Sequence, residues 1–260
     1  MKRKTYPTDL SNEHFTELET MLPAPELLGR KRSVNLREII NALCYMLRSG
    51  CQWRLLPPEF PKWQTVYYYF RKWRNAEWFV ELNHQLRKRV RLKAGKESDP
   101  SAAIIDSQSA KTDEQGVVRG YDAGKKVKGR KRHILVDTLG LLLTVKVLTA
   151  DIQDRDGAKQ LMKSIKEQMP RLYLIWADGG YRGKLIKWVL VNYLWILEIV
   201  KRSDDLKGFQ VLPKRWIVER TFSWLNRNRR LSKDYERELT SSEAWIYFSM
   251  SILMLKRLKT

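Results

Sequence analysis

Three acids carry the most chemical information in this chain: Asp106, Asp178 and Glu219. Asp106 follows the apolar run Ala102-Ala103-Ile104-Ile105, and Asp178 follows the run from Leu172 to Ala177. Runs this short read as buried strands, so each would deliver a carboxylate to a strand end. In neighbouring strands of one sheet the two carboxylates would lie side by side, and their repulsion would raise both pKa values unless a cation sat between them. Mg2+ suits that place, because it prefers oxygen ligands and takes one or two carboxylates together with substrate phosphate. Strand-end aspartates also act as plain turn formers, and spacing alone leaves that alternative open. Glu219 lies among apolar Ile217, Val218, Phe222, Trp224 and Leu225 of a helix expected from about Lys214 to Arg230. A glutamate there is expected to be desolvated, and costly unless neutralised or metal-bound. An ion pair with Arg215, four residues earlier, or with Arg220 is the bland alternative.

The elements that would position these acids fall into two regions. Up to about Leu92 the apolar residues recur at helical spacing. Ser11 caps a helix carrying Phe15, Leu18, Met21 and Leu22, which Pro23 and Pro25 stop. Asn35 and Glu38 open a second with a capping-box-like start, running through Leu43 and Leu47 to Gly50. Trp63, Val66, Tyr67, Phe70 and Trp73 form a third stripe, and Trp78, Phe79, Leu82 and Leu86 a fourth. This is a helical unit with a helix-turn-helix flavour, and its last helix ends in Arg87, Lys88, Arg89, Arg91 and Lys93, either a solvated end or a DNA contact. Lys93 to Ser101 is the composition break, which divides the chain into a helical N-terminal DNA-binding domain over 1–98 and a catalytic domain over 99–260. Beyond the break the period changes. A hairpin is expected over His133 to Asp137 and Leu141 to Leu148, then a helix from Asp156 to Gln168, the strand before Asp178, a helix from Lys184 to Tyr193 and a strand from Ile196 to Val200. That order requires an α/β fold, a mixed sheet with helices on its faces.

Charge names the partner. Fifty Lys+Arg oppose 29 Asp+Glu, a net charge of +21, which disfavours a neutral metabolic enzyme and attracts polyanions, nucleic acid first. No apolar run spans a bilayer; the longest, Ala244 to Leu255, is too short, so no membrane partner is expected. The basic start Met1 to Pro7 leads into polar residues and not into a secretory signal. Two cysteines and three scattered histidines argue against zinc and place the protein in a reducing cytoplasm, with Cys44 as core packing. The basic residues cluster beside the acids. A loop from Arg119 to Arg132 holds Arg119, Lys125, Lys126, Lys128, Arg130 and Lys131, with glycines that let its backbone approach phosphates. The segment from Lys214 to Arg237 holds Arg215, Arg220, Arg227, Arg229 and Arg230.

Several segments together carry a resemblance: Ile105 to Thr112, Val136 to Leu142, Ala150 to Ala158, Ala177 to Gly183, and Arg215 through Glu236, with Tyr6 to Leu10 and Ser49 to Pro57 near the start. In that order they resemble bacterial insertion-sequence transposases of the DDE class, over nearly the whole chain. The resemblance implies a ribonuclease H-like catalytic fold and a metal-binding triad at Asp106, Asp178 and Glu219, 72 and 41 residues apart. It implies two Mg2+ ions, with Mn2+ as a substitute, and cleavage and strand transfer at the terminal inverted repeats of a mobile element. Double-stranded DNA, both transposon ends and target, is the implied partner, bound by at least a homodimer close to the bacterial nucleoid. Lys111 and Arg182, inside the matching segments, join the basic residues above as expected DNA contacts. Related transposases have a tyrosine three residues before the arginine and a lysine seven after the glutamate; Leu212 and Asn226 stand there, with Arg227 next door. The competing readings are a non-catalytic regulator decayed from a transposase and a nuclease acting on RNA–DNA hybrids.

Overall fold

The computed structural model describes residues 3–24, 33–113, 118–200 and 214–259; Pro25 and Leu212 lie outside them. Four helices come first: α1 (Asn12–Glu19), α2 (Leu36–Ser49), α3 (Trp63–Asn75) and α4 (Trp78–Lys93). The Ser11 hydroxyl accepts from the His14 N–H at 3.2 Å, and the Asn35 side chain accepts from the Arg37 N–H at 2.9 Å, so both expected caps form. Glu38 does not complete a capping box; it pairs with Arg3 and accepts from Asn41 instead. Cys44 is buried, and that burial pushes its thiol up to about 12, as a small core hydrophobe requires.

The sheet consists of β1 (Ala102–Lys111), β2 (Gly120–Asp122), β3 (Val127–Asp137), β4 (Leu142–Thr149), β5 (Leu174–Ala177) and β6 (Ile196–Ile199). β1 is central: β3 runs antiparallel along one edge, β5 parallel along the other, and β6 lies parallel beyond β5. β4 and the short β2 share the outer edge of β3, both antiparallel. Two helices, α5 (Asp154–Lys163) and α6 (Lys184–Tyr193), cover one face, over Ala103, Ile105, Leu135 and Leu143. The other face, with Ala102, Ile104, Ile134 and Val136, lies under α7 (Trp216–Asn226), α8 (Arg229–Ser232), α9 (Leu239–Lys259) and the N-terminal helices. Strand alternation thus feeds two cores. The N-terminal helices and this face share one of them, joined through α9: Trp245 stacks on Phe70 with centroids 4.8 Å apart, and α4 packs along α9.

Three expectations are corrected. β1 does not stop at Asp106 but pairs with β3 as far as Lys111↔Gly129, so Asp106 stands mid-strand. The supposed basic loop is β2 and the first half of β3, because its inner cations find carboxylate and carbonyl partners that let them enter the sheet. The expected helix to Arg230 breaks around Arg227-Asn228 into α7 and α8. The apolar stretch within Ala244 to Leu255 is the middle of α9, a core helix, and among the described residues no helix is long and apolar enough to cross a membrane.

Candidate active site and nucleic-acid interface

The register Ile104↔Trp176 between parallel β1 and β5 puts Asp106 level with Asp178, one residue beyond the end of β5. The neighbouring strands expected from the apolar runs are therefore present. A single guanidinium nitrogen, Arg215 Nη2, lies 3.4 Å from Asp106 Oδ2 and 3.5 Å from Asp178 Oδ2. Arg215 leads into α7, which the β3–β4 turn holds in place. Thr221 donates to the Gly140 carbonyl at 2.9 Å and Arg220 to the Leu139 carbonyl at 3.0 Å. Gly140, at φ +79°, has room only for a hydrogen there: a Cβ would sit 2.9 Å from Thr221 Oγ1.

Burial pushes the Asp106 carboxyl up to about 6; the Ser107 N–H and Arg215 oppose this, and Asp178 adds to it. A charge on Asp106 is thus expensive until cations gather around it. Glu219 departs from expectation. It lies one turn after Arg215, on the same helical stripe, but its side chain is exposed and not desolvated. α7 turns its apolar residues, Ile217, Val218 and Phe222, into the core and leaves Glu219 on the outer face. Among the described residues no three acidic, histidine or cysteine side chains gather closely enough to hold a metal ion. Two carboxylates converge on one point already occupied by a cationic group, and their oxygens are the donors a hard divalent ion takes. The fit is therefore to Asp106 and Asp178 alone; the exposed Glu219 side chain is not gathered with them.

Three residues absent from the expected site surround Asp106. Ser107 donates to Asp154 at 2.7 Å, Asp154 accepts from Lys131, and Tyr181 is wholly buried beside the acids. Burial first, then the negative fields of Asp106, Asp154 and Asp178, pushes the Tyr181 hydroxyl well up. Their segments, Ala150 to Ala158 and Ala177 to Gly183, were visible as motifs; their chemistry was not, because the contacts cross the sheet.

The basic residues divide sharply. Lys111, Lys125, Lys126, Lys128, Arg182, Arg227 and Arg229 are exposed and Arg119 is half-buried. Lys125 reaches the site, donating to the Ser107 carbonyl at 3.2 Å. Arg130 is corrected: it is fully buried, pairs with Asp234 at 3.0 Å, and donates to the carbonyls of Val118, Glu236 and Arg237. Lys131 is likewise buried against Asp122 and Asp154. Arg230 is buried against Glu236 and the ring of Trp245, and Arg220 is held between Trp216 and Trp224. The end of α4 is structural too, since Arg91 pairs with Asp137 and Lys93 donates to the last carbonyls of α9.

A sheet ordered β4-β3-β1-β5-β6, with the first three strands antiparallel and the last two parallel to β1, carrying acids on β1 and after β5, is the ribonuclease H-like fold. The sequence profile described as the transposase DDE domain matches residues 97–255, and the chain belongs to this family. A second profile, described as a putative transposase of the IS4/5 family, matches residues 10–83. The putative transposase for insertion sequence element IS402 of Burkholderia cepacia is 27% identical over 140 residues, 50% of this chain and 65% of that protein. The chain thus spans a little under two-thirds of that relative's length. The crystal structure of a pre-cleavage Mos1 transpososome aligns over 94% of this chain and 83% of its own at 7% identity, with a TM-score of 0.26, too low to define a shared fold.

Proposed function

We propose that the chain is a DNA transposase that binds the terminal inverted repeats of a mobile element and cleaves and transfers their strands. The observation that carries this reading is the convergence of Asp106 and Asp178 on Arg215 Nη2. Asp106, Asp178 and Glu219 would hold Mg2+, or Mn2+ in its place. A bound pair of ions would supply an activated attacking oxygen and stabilise the departing one. Arg215 would then be freed from the carboxylates to face a phosphate, with Lys125, which donates to the Ser107 carbonyl, on the same side of the site. Asp154, through Ser107, holds the backbone at Asp106 in place. Water loses a proton and forms the new P–O bond as the bond to the 3′ oxygen breaks, and that oxygen takes up a proton. The freed 3′-OH repeats the same displacement on target DNA, so the bond count is conserved without a high-energy co-reactant.

The N-terminal helices supply end binding. The outward face of α3 carries Gln64, Tyr68, Arg71 and Asn75, the helix contains no acid, and its Val66, Phe70 and Trp73 are in the core. Such a face suits the major groove of duplex DNA. Joining two ends calls for at least a homodimer on DNA. The test uses duplexes carrying the repeats that flank the gene. Asp106→Asn, Asp178→Asn and Glu219→Gln are each expected to lower Mg2+-dependent nicking by about a thousandfold or more while end binding, read by fluorescence anisotropy, is retained. Nicking that survives in purified Asp106→Asn protein, or a preference for an RNA–DNA hybrid over the repeat duplex, would overturn the reading.

A further inference from the structure

A cleft of about 340 Å³ lies along β1 past Asp106, where Gln108, Lys111, Asn226 and Lys233 line it together with the apolar Ala110 and Val127. Its position follows from two periodicities. Gln108 is two residues past Asp106 and therefore on the same face of β1. Asn226 is seven residues past Glu219, two helical turns along the same stripe of α7. From Arg215 to Asn226 the helix rises about 16 Å, and from Asp106 to Lys111 the strand advances about 16 Å, so the two elements run side by side from the carboxylates to the cleft. β5 pairs with β1 only as far as Ile104, so among the described residues no strand stands beside Gln108 on that side. The far end is closed where the Asp234 N–H donates to the Lys111 carbonyl at 2.8 Å.

The lining selects the occupant. Among the described residues no acid lines the cleft, and the side chains of Lys111 and Lys233 are exposed, so the charge favours an anion. Among the described residues the side-chain amides of Gln108 and Asn226 have no hydrogen-bond partner within the protein. Each offers a donor and an acceptor at fixed spacing, the pattern with which Asn and Gln read base edges. A volume of a few hundred Å³ is that of a small-molecule pocket. We propose that this cleft is a nucleotide subsite in which Gln108 and Asn226 read a base next to the cleaved phosphodiester while Lys111 and Lys233 neutralise its phosphates. It rests on the function proposed above and adds a base-reading pair to it. The occupant is a nucleotide of the cleaved DNA strand, because the lining begins at Gln108, two residues along β1 from Asp106, within a nucleotide's reach of the carboxylates.

The test is Mg2+-dependent nicking of repeat duplexes in which each nucleotide flanking the cut is varied through all four base pairs, read as ratios of kcat/KM. Wild-type protein is expected to discriminate at one flanking position by roughly 5- to 150-fold, the worth of one good amide–base pair. Gln108→Ala and Asn226→Ala are expected to collapse that ratio. Asn226→Asp, which keeps the shape and replaces a donor with an acceptor, is expected to move the preference towards cytosine. Lys111→Ala is expected to weaken binding to all four duplexes alike. A second readout does not need turnover: 5-iodouracil at the flanking position should photocrosslink Asp106→Asn protein within residues 108–111 or 226–233. Folded variants that keep the wild-type ratios, or crosslinks confined to other segments, overturn the subsite and leave the transposase reading standing. Wild-type protein that neither binds nor nicks the repeat duplexes overturns both.

Discussion

Arg215 and His133 show how far a side chain's role depends on what lies against it. Arg215 is half-buried and its guanidinium sits between two carboxylates, 3.4 Å from Asp106 and 3.5 Å from Asp178. His133 is fully buried in β3, opposite Ser107 of β1 and under α5, and its pKa is lowered to about 4. Burial is the largest cause; Asp154 pulls the other way, and Lys131 and Lys125 add to the lowering. The folded protein therefore favours the neutral ring. Its contribution to stability is complete above the unfolded value near 6.5 and is lost as the pH falls from there through 4. A shift of this size corresponds to about 3 kcal/mol. Denaturant unfolding measured between pH 7 and pH 4 should show this loss in wild type and a shallower one in His133→Leu. Equal slopes would mean that the acid sensitivity comes from other groups.

At the scale of elements, α5 and α7 place the chemistry. α7 is pinned to the β3–β4 turn by Thr221 and Arg220, which presents Arg215 to the sheet and leaves Glu219 outside. α5 carries Asp154 at its start and lies so close to β3 that Gly157 has no space for a side chain: a Cβ would stand 2.2 Å from the His133 ring. Gly157→Ala should therefore destabilise the fold by roughly 1–3 kcal/mol, the usual cost of overpacking a core, with a matching fall in Tm. Combining it with His133→Ala should recover part of that loss, because the two sites share one contact. A Gly157→Ala protein as stable as wild type would show that α5 can shift outward freely.

Across the whole molecule, buried cations tie segments that are distant in sequence. Arg130 of β3 holds Asp234 and the carbonyls of Glu236 and Arg237 between α8 and α9, and Arg91 of α4 holds Asp137 at the end of β3. Removing one member of such a pair strands the other in a low-dielectric core. Arg130→Ala is expected to cost about 3–5 kcal/mol, whereas Arg130→Met with Asp234→Leu should be much milder. DNA affinity per folded molecule should be unchanged in Arg130→Met/Asp234→Leu, as read by anisotropy after correction for the folded fraction. A selective loss of DNA binding in a fully folded variant would return Arg130 to the nucleic-acid interface.

The same pairs explain what could and could not be read in advance. Helical stripes such as Val66-Phe70-Trp73, the caps at Ser11 and Asn35, and the apolar runs before Asp106 and Asp178 all follow from local periodicity and hydrogen-bonding chemistry, whereas the pairing that sets those two acids side by side is tertiary. Which cations face solvent is not local either. Arg130 and Lys128 look alike in a basic segment, yet one meets a carboxylate 104 residues away and the other meets water. Glu219 was expected to be desolvated by its apolar neighbours, but neighbours along a helix point in different directions, and its own direction is outward. Composition and spacing determined most of the helices, the apolar strand cores and the polyanion-seeking charge. Only the tertiary structure decided which charges are dehydrated and neutralised, because the cost of burying a charge is set by groups brought close in space and not by those adjacent in the chain.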